Sequence, residues 1–501
     1  MKSNGSDPND GYFISFNKTF DELQTISVSS LALSQNPKEE SDHYPIVEIP
    51  IPDNIVLEVG GIEILPGKRI AVSSRRGDIY VVKGAYTDDP GDDQWIPWAV
   101  GLHEVLGLAW KDGWLYATQR PEVTRMKDED GDYRADVFES VSSAWGVNGD
   151  YHEYAFGSRH DPDGNIWVVL CLTGSGGASS DFRGWCVRVT PDGKMLPTTS
   201  GIRSPGGIGQ NHIGDMFYCD NQGLWNGTSS IKPLPVGGFV GNPTGNKYYE
   251  LTDVIGKRPQ DPKSGSRIST EREKIPELVP PAAMFPHGKL SNSPTGIACD
   301  TTGKFGPFTN QLFVGEQTMS TVLRVALEKV NGVYQGAAFP FRGKFKSGNV
   351  AVRLGPDGSM FVGGTDRGWG ARGGKRFALE RCHFNGAKPF EVLQMKVRPD
   401  GFEVVFTEPI EEKSGSDLAS YKMDSYTYIY QSGYGSPVVD KSSPTIKSAA
   451  VSQDKKSVYL KIEGLVKGNV HELNLPGIKN AEGTALLHQV GYYTLNEIPN
   501  N

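Results

Sequence analysis

The sequence predicts an all-β chain, a six-bladed β-propeller followed by a small C-terminal β-sandwich, and three observations predict it. First, six stretches repeat one plan: GGIEILPGKRIAVSSRRG from Gly60, GLAWKDGWLYATQR from Gly107, FGSRHDPDGNIWVVLCLTG from Phe156, GGIGQNHIGDMFYCDNQG from Gly206, TGIACD…QLFVGEQT from Thr295 and VRLGPDGSMFVGGTDRG from Val352. In each, a short apolar strand meets a tight turn and a second apolar strand runs into a polar tip, the pattern of propeller blades. Second, 61 Gly and 33 Pro suit many short strands joined by turns, and no stretch of helical length carries a 3.6-residue apolar period. Third, the repeat stops after residue 387, and alternating apolar and polar residues take over, with turns at roughly 10-residue spacing.

In chain order, residues 1–45 form a polar N-terminal tether with little patterning. HYPIVEIPIP, from His43, reads as an extended edge strand, because proline is tolerated at sheet edges. It is placed to close the ring by pairing with the last blade. The propeller spans 46–387, with blades near 54–100, 101–148, 149–200, 201–290, 291–347 and 348–387. The fourth carries a long insertion, including KRPQDPKSGSRISTEREK from Lys257, read as a surface loop. The sandwich takes 388–501.

Composition excludes several function classes. A net charge of −8 argues against a general nucleic-acid binder. No stretch reaches the roughly 18 apolar residues of a membrane-spanning helix. Cys171, Cys186, Cys219, Cys299 and Cys382 show no Cys-x-x-Cys spacing, so no zinc or redox motif is indicated. Phosphate-loop, dinucleotide-fingerprint and serine-elbow motifs are also missing.

Two constellations point to chemistry. Asp128, Asp130, Asp132 and Asp136, with Glu139 following, place oxygen ligands at positions 1, 3, 5, 9 and 12 of a loop, as a hard cation such as Ca2+ needs. Position 6 is Tyr133 rather than glycine, and no amphipathic helices flank the loop, so the expected role is a structural calcium site; the alternative is a solvated acidic turn. The second constellation is the polar tips, which propeller topology gathers at one mouth. Leading into inner strands are His103-Glu104, His152-Glu153, Arg203-Ser204 and Ser293. Leaving second strands are Arg75-Arg76, Gln119-Arg120, Thr173, Asp220-Asn221, Glu316-Gln317 and Asp366-Arg367. Histidines, carboxylates and arginines at one mouth suggest a polar ligand and proton transfer, against the plainer reading that exposed strands end in polar residues. His152 and Arg203 lead into successive inner strands and form the expected base and anion-holding pair, with His103 and Arg120 as further catalytic candidates. His287 is a rim candidate. Trp145, Trp185, Trp225 and Trp369 are candidates for stacking on sugars, with core packing as the rival explanation.

His152 followed by RHDPDGNIWV, then GWCVRVTPDGKMLPTTSGIRSPGGI and the tip CDNQG, resembles the glucose/sorbosone dehydrogenase family, six-bladed propellers that use pyrroloquinoline quinone and calcium to oxidise aldoses. The resemblance covers about residues 55–385 and includes GFVGNPTG in the insertion. It implies that His152 takes the proton of the sugar hydroxyl and that Arg203 contacts the cofactor. The sequence departs from the family at Ser204, where asparagine is usual, at Thr318, in place of the cofactor lysine, and at Gly348 and Val350, in place of two arginines. The quinone is a tricarboxylate, so losing three cations weakens its binding. With the RGWG at Arg367–Gly370 and the sandwich, the whole chain is most similar to a subgroup of exported dehydrogenase-like proteins of environmental bacteria. The sandwich resembles bacterial immunoglobulin-like domains.

The resulting expectation is an exported carbohydrate-active propeller, periplasmic or tethered as a lipoprotein, with carbohydrate as its ligand. Its chemistry is that of a sugar dehydrogenase, or alternatively that of a cofactor-free lyase or glycoside-cleaving enzyme with a histidine base. A third alternative is a glycan-binding module without catalysis.

Overall fold

A computed structural model describes residues 39–88, 94–368 and 370–500. Six four-stranded antiparallel blades follow one another along the chain. Their inner strands are Val59–Leu65, Leu108–Lys111, Ala155–His160, Pro205–Gln210, Pro294–Cys299 and Asn349–Leu354. Each expected blade is thus present, in the expected order.

The sixth blade supplies three strands of its own, and Ile46–Glu48 adds the fourth, pairing antiparallel with Phe377–Cys382 through Ile46↔Cys382 and Glu48↔Glu380. The ring is therefore closed by the first of the described strands, as the proline-spaced edge segment implied, which covers the edge of Phe377–Cys382. Glycines let the inner strands approach at the axis: a Cβ on Gly107 would lie 1.7 Å from the Gly157 carbonyl, and one on Gly207 would lie 2.7 Å from the Gly296 Cα. Five of the six inner strands also shift register with their neighbour near the first residue, as between Val59 and Gly61 or Pro205 and Gly207. Each such bulge bends its strand locally.

Beyond the propeller, Val392–Arg398, Gly401–Phe406, Ser457–Glu463 and Thr445–Val451 form one sheet. Val490–Leu495, Asn469–Asn474, Lys422–Tyr428 and Val438–Ser442 form a second, facing it across a shared core of Val392, Phe402, Phe406, Leu460, Leu473 and Tyr493. This second sheet is not separate from the propeller. Val490–Leu495 pairs with the outer strand of blade five, Val333–Arg342, so blade five and the sandwich share one eight-stranded sheet. Phe339 of that blade is buried in the sandwich core. Arg324, fully buried in blade five, donates to the carbonyls of Val392 and Leu393 at the start of the sandwich.

The insertion in blade four is not a free surface loop. Gly265 N donates to the Tyr430 carbonyl at 2.9 Å, Ser266 bridges to Tyr430, and Arg267 pairs with Asp440 at 2.6 Å. Residues 264–267 find these partners on the sandwich, over 160 positions away, where local patterning does not display them, while Arg258 pairs with Asp261 inside the insertion.

Candidate active site

The tips surround a funnel of about 680 Å³ at one end of the propeller. Its floor is apolar, made by Leu106, Phe156 and Val350, which also line the tight glycine-walled axis beneath. His152, Arg203, Arg75, Asn221, Gln317, Arg367 and His287 all face the funnel.

His152 is half-buried beside Tyr151 and Tyr154, and its backbone N–H donates to Asp150 Oδ1 at 2.8 Å. Burial lowers its pKa below the usual 6.5; Asp150 opposes that shift, and the cations Arg203 and Arg120 reinforce it. The imidazole is therefore neutral near pH 7 and able to accept a proton. Arg203 is 5% exposed. It donates to the carbonyls of Ser175 (3.1 Å) and Gln222 (2.7 Å), and its guanidinium lies 5.2 Å from the Tyr434 ring. It has no carboxylate partner among the described residues. Gly223, the last residue of the CDNQG tip, makes room for it: a Cβ there would lie 2.1 Å from Arg203 Cζ.

The other tips show why the neighbourhood was legible and the lining was not. Side chains alternate in direction along extended backbone, so each two-residue tip sends its members different ways. His152 faces the funnel while Glu153 is buried, accepting from Asn148 N, Thr173 and Ser180. Asn221 faces it while Asp220 is buried on Lys232 and accepts from Ser204 N. Gln317 faces it while Glu316 is buried, accepting from the backbone N–H groups of Asn292, Ser293 and Met319. Arg367 faces it while Asp366 is exposed outside. Expected as ligand contacts, Glu153, Asp220 and Glu316 instead hold the mouth loops in place, because a buried carboxylate needs donors and those loops offer free N–H groups.

Blade two is displaced more. His103 and Gln119 do not line the funnel. His103 is exposed, its N–H bound to Gln119 Oε1 at 2.5 Å, and Gln119 Nε2 donates to Thr124. Glu104, with φ of 50°, turns inward behind the wall, where it accepts from both Arg75 and Arg120. Arg120 then donates to the carbonyls of Asp150 (2.6 Å) and Tyr151 (2.8 Å), the residues just before His152. The two guanidinium groups flank the Tyr154 ring at 5.1 and 4.8 Å. Arg120 is a support of the His152 loop rather than a funnel residue.

Trp145 and Trp185 are buried and donate to the Arg120 and Gly245 carbonyls, and Trp225 packs on Tyr430. None of the three lines the funnel, and Trp369 lies outside the described residues. The aromatic lining comes from residues that the sequence did not single out: Tyr151, whose hydroxyl reaches Gly368 across the mouth, Tyr154, Phe156 and Tyr434 of the sandwich. Tyr434 stands in a Gly-Tyr-Gly loop, a recognisable setting for an exposed ring, but no local pattern tied that loop to the mouth.

The acidic loop joins the third and fourth strands of blade two, so it lies at the end opposite the mouth. Carboxylate oxygens of Asp128, Asp130 and Asp136 fall within 4.8 Å of one another, a donor set that fits a hard cation. Tyr133 takes φ of 69° where glycine is usual, its ring flanked by Arg69 and Lys83. Asp132 bonds to the Arg134 N–H, and Glu139 sits on the next strand, paired with Arg125, so neither belongs to the cluster. Glu139 was expected to close the loop, but strand pairing carries it away.

A tricarboxylate quinone fits the funnel poorly. Where the resemblance calls for three cations, Val350 is an apolar floor residue and Gly348 is wedged against the Gln317 and Thr365 carbonyls. Thr318 carries a buried hydroxyl with no partner among the described residues and does not line the funnel. Of the guanidinium groups facing the funnel, Arg75 and Arg367 are already paired with Glu104 and Glu58.

Solved structures similar to this chain include a putative oxidoreductase (glucose dehydrogenase) from Thermus thermophilus, at 17% identity and TM-score 0.47, covering 68% of this chain and 99% of that one. A PQQ-bound aldose sugar dehydrogenase from Streptomyces coelicolor follows at 16% identity and TM-score 0.47, covering 70% and 100%. The soluble aldose sugar dehydrogenase of Escherichia coli, in its apo form, is 14% identical with TM-score 0.46, covering 68% and 100%. No curated protein matches the sequence. Residues 100–363, more than half of the sequence, match the family described as "Domain of unknown function (DUF7133)", and the chain belongs to that family.

Proposed function

We propose that this protein is a carbohydrate-active enzyme that withdraws a proton from a sugar bound in the mouth funnel. The observation that carries the reading is a half-buried histidine kept neutral beside a buried arginine that no carboxylate neutralises among the described residues. His152 accepts the proton at a ring nitrogen, and the Arg203 guanidinium holds the negative charge of the substrate or of the developing anion. The apolar floor excludes water beneath the sugar. Oxidation, as in sugar dehydrogenases, would also need a quinone to take the hydride from the carbon that bears the hydroxyl; elimination, in which His152 takes a carbon-bound proton and the β-oxygen substituent leaves with the bond pair, needs no redox cofactor and is the second reading, favoured by the poor fit of the funnel to a tricarboxylate. We also read Asp128, Asp130 and Asp136 as a structural calcium site, and export from the cytoplasm as the setting that the sequence resemblance implies.

A carbohydrate panel screened by thermal shift tests the reading, since a ligand that binds only the native state raises the apparent melting temperature. The same panel with quinone and calcium added separates the two chemistries: dye reduction and a quinone absorbance band support oxidation, and an unsaturated product supports elimination. A panel in which no sugar shifts the melting temperature removes the proposal.

A further inference from the structure

We infer that the mouth takes an acidic saccharide, its carboxylate held at Arg203 and its ring stacked on Tyr434, which the C-terminal sandwich brings to the propeller. The inference rests on the sugar-binding reading above and names the class of sugar and the second part of the chain that binds it.

Charge gives the first half. Around the mouth, Arg75 and Arg120 share Glu104, Arg76 and Arg367 share Glu58, and Arg203 has no carboxylate partner among the described residues. The other buried mouth carboxylates are engaged elsewhere, Asp220 by Lys232 and Glu153 and Glu316 by hydroxyl and backbone N–H donors, so none of them neutralises Arg203. Asp150 is the acid beside His152, and it is already engaged by the N–H groups of His152 and Gly174. A buried guanidinium bound only to carbonyls retains an unneutralised charge, and a carboxylate is the partner whose geometry matches its fork.

Tyr434 gives the second half. It is 61% exposed, yet the loop that carries it is fixed at both ends. Trp225 N donates to the Gln431 carbonyl at 2.7 Å, Gly435 N donates to the Gly223 carbonyl at 3.0 Å, and Leu224 bridges to Tyr434. Within the loop, Gln431 Nε2 donates to the Gly435 carbonyl, and Ile429 N donates to Ser436 Oγ. The fixed backbone therefore presents a large aromatic side chain to solvent at the funnel wall, beside Arg203. An aromatic surface held there offers the apolar C–H face of a pyranose a platform at little cost in ordering. The sandwich, sharing a sheet with blade five, keeps that platform in register with the propeller.

The test is calorimetric titration of the full chain with methyl glucuronide and methyl glucoside, which differ only in the carboxylate. The glucuronide is expected to bind about tenfold or more tightly than the glucoside, and Arg203→Gln to remove that preference. Tyr434→Ala is expected to weaken both sugars by about tenfold with an unchanged melting temperature, and Tyr434→Phe to restore them. Equal binding of the two sugars by the wild type overturns the acidic preference and leaves the sugar site standing. Unchanged affinity in Tyr434→Ala shows that the ring only covers Arg203, and loss in Tyr434→Phe as in Tyr434→Ala shows that the hydroxyl is what matters; either overturns the stacking role. Binding of neither sugar, alongside a silent thermal-shift panel, removes the sugar reading itself.

Discussion

Replacing Glu104 with glutamine probes the support beneath His152. The Glu104 carboxylate accepts from Arg75 Nε at 3.0 Å and Nη2 at 2.6 Å through one oxygen and from Arg120 through the other, with every partner side chain less than a tenth exposed. Glu104→Gln removes the negative charge and turns an N–H₂ group toward one of two guanidinium donors. Breaking a buried ion pair from one side costs about 3–5 kcal/mol, because the remaining charge stays buried. Melting entropy of about 2.1 cal/mol/K per residue gives a body of this size on the order of 1 kcal/mol/K, so Tm should fall by about 3–5 °C. Arg120 also holds the carbonyls of Asp150 and Tyr151, so the loosened loop should change the environment of His152. Calorimetric melting, with the imidazole C–H resonance of His152 followed by NMR, measures both effects. Stability within about 0.5 kcal/mol of wild type, the scatter of a neutral surface change, together with an unmoved His152 resonance, would refute the clamp.

Further expectations are distinct. Gly223→Ala places a methyl group against Arg203 and should weaken sugar binding while changing Tm little; unchanged affinity would show that Arg203 moves freely. His488 bridges Glu391 and Glu40 at 2.5 and 3.0 Å, and although burial alone would lower its pKa, those carboxylates push it up to about 9. With an unfolded value near 6.5, its contribution is complete below that pH and is lost as pH rises through about 9, amounting to about 3 kcal/mol. His488→Gln should therefore destabilise at pH 6 and match wild type near pH 10, as urea melts at both pH values will show. Chelation should lower Tm in the wild type and not in Asp130→Ala; a wild type indifferent to chelator makes the loop an acidic turn. Because the His152 pKa lies below 6.5, turnover should persist at pH 6.5 and fall at lower pH as the imidazole takes up a proton.

Much of the fold was legible because a propeller repeats its local signals. Pro-Asp-Gly turns at 162–164, 191–193 and 356–358 place a glycine with φ near 90° at a strand reversal, a backbone setting that the sequence announces. The closing strand was legible because proline at 45, 50 and 52 suits an edge. The candidate site was legible only to the level of the tip. Whether Asp220 or Asn221 reaches the funnel depends on strand phase and on which buried N–H groups need an acceptor, and a sequence does not display those donors. Tyr434 was out of view for another reason: it reaches Arg203 through a sheet shared with blade five and through a loop pairing, Leu224 with Tyr434, that joins segments more than 200 residues apart.

The central claim is that His152 removes a proton while Arg203 holds charge, in one funnel. It is tested most directly by measuring kcat and Kd of His152→Ala and Arg203→Ala on the sugar identified by the thermal-shift panel. The account expects His152→Ala to lower kcat by about 10²–10⁴-fold while Kd and Tm stay near wild type, and Arg203→Ala to weaken binding and turnover together. Full turnover in His152→Ala, with the fold intact, would contradict it.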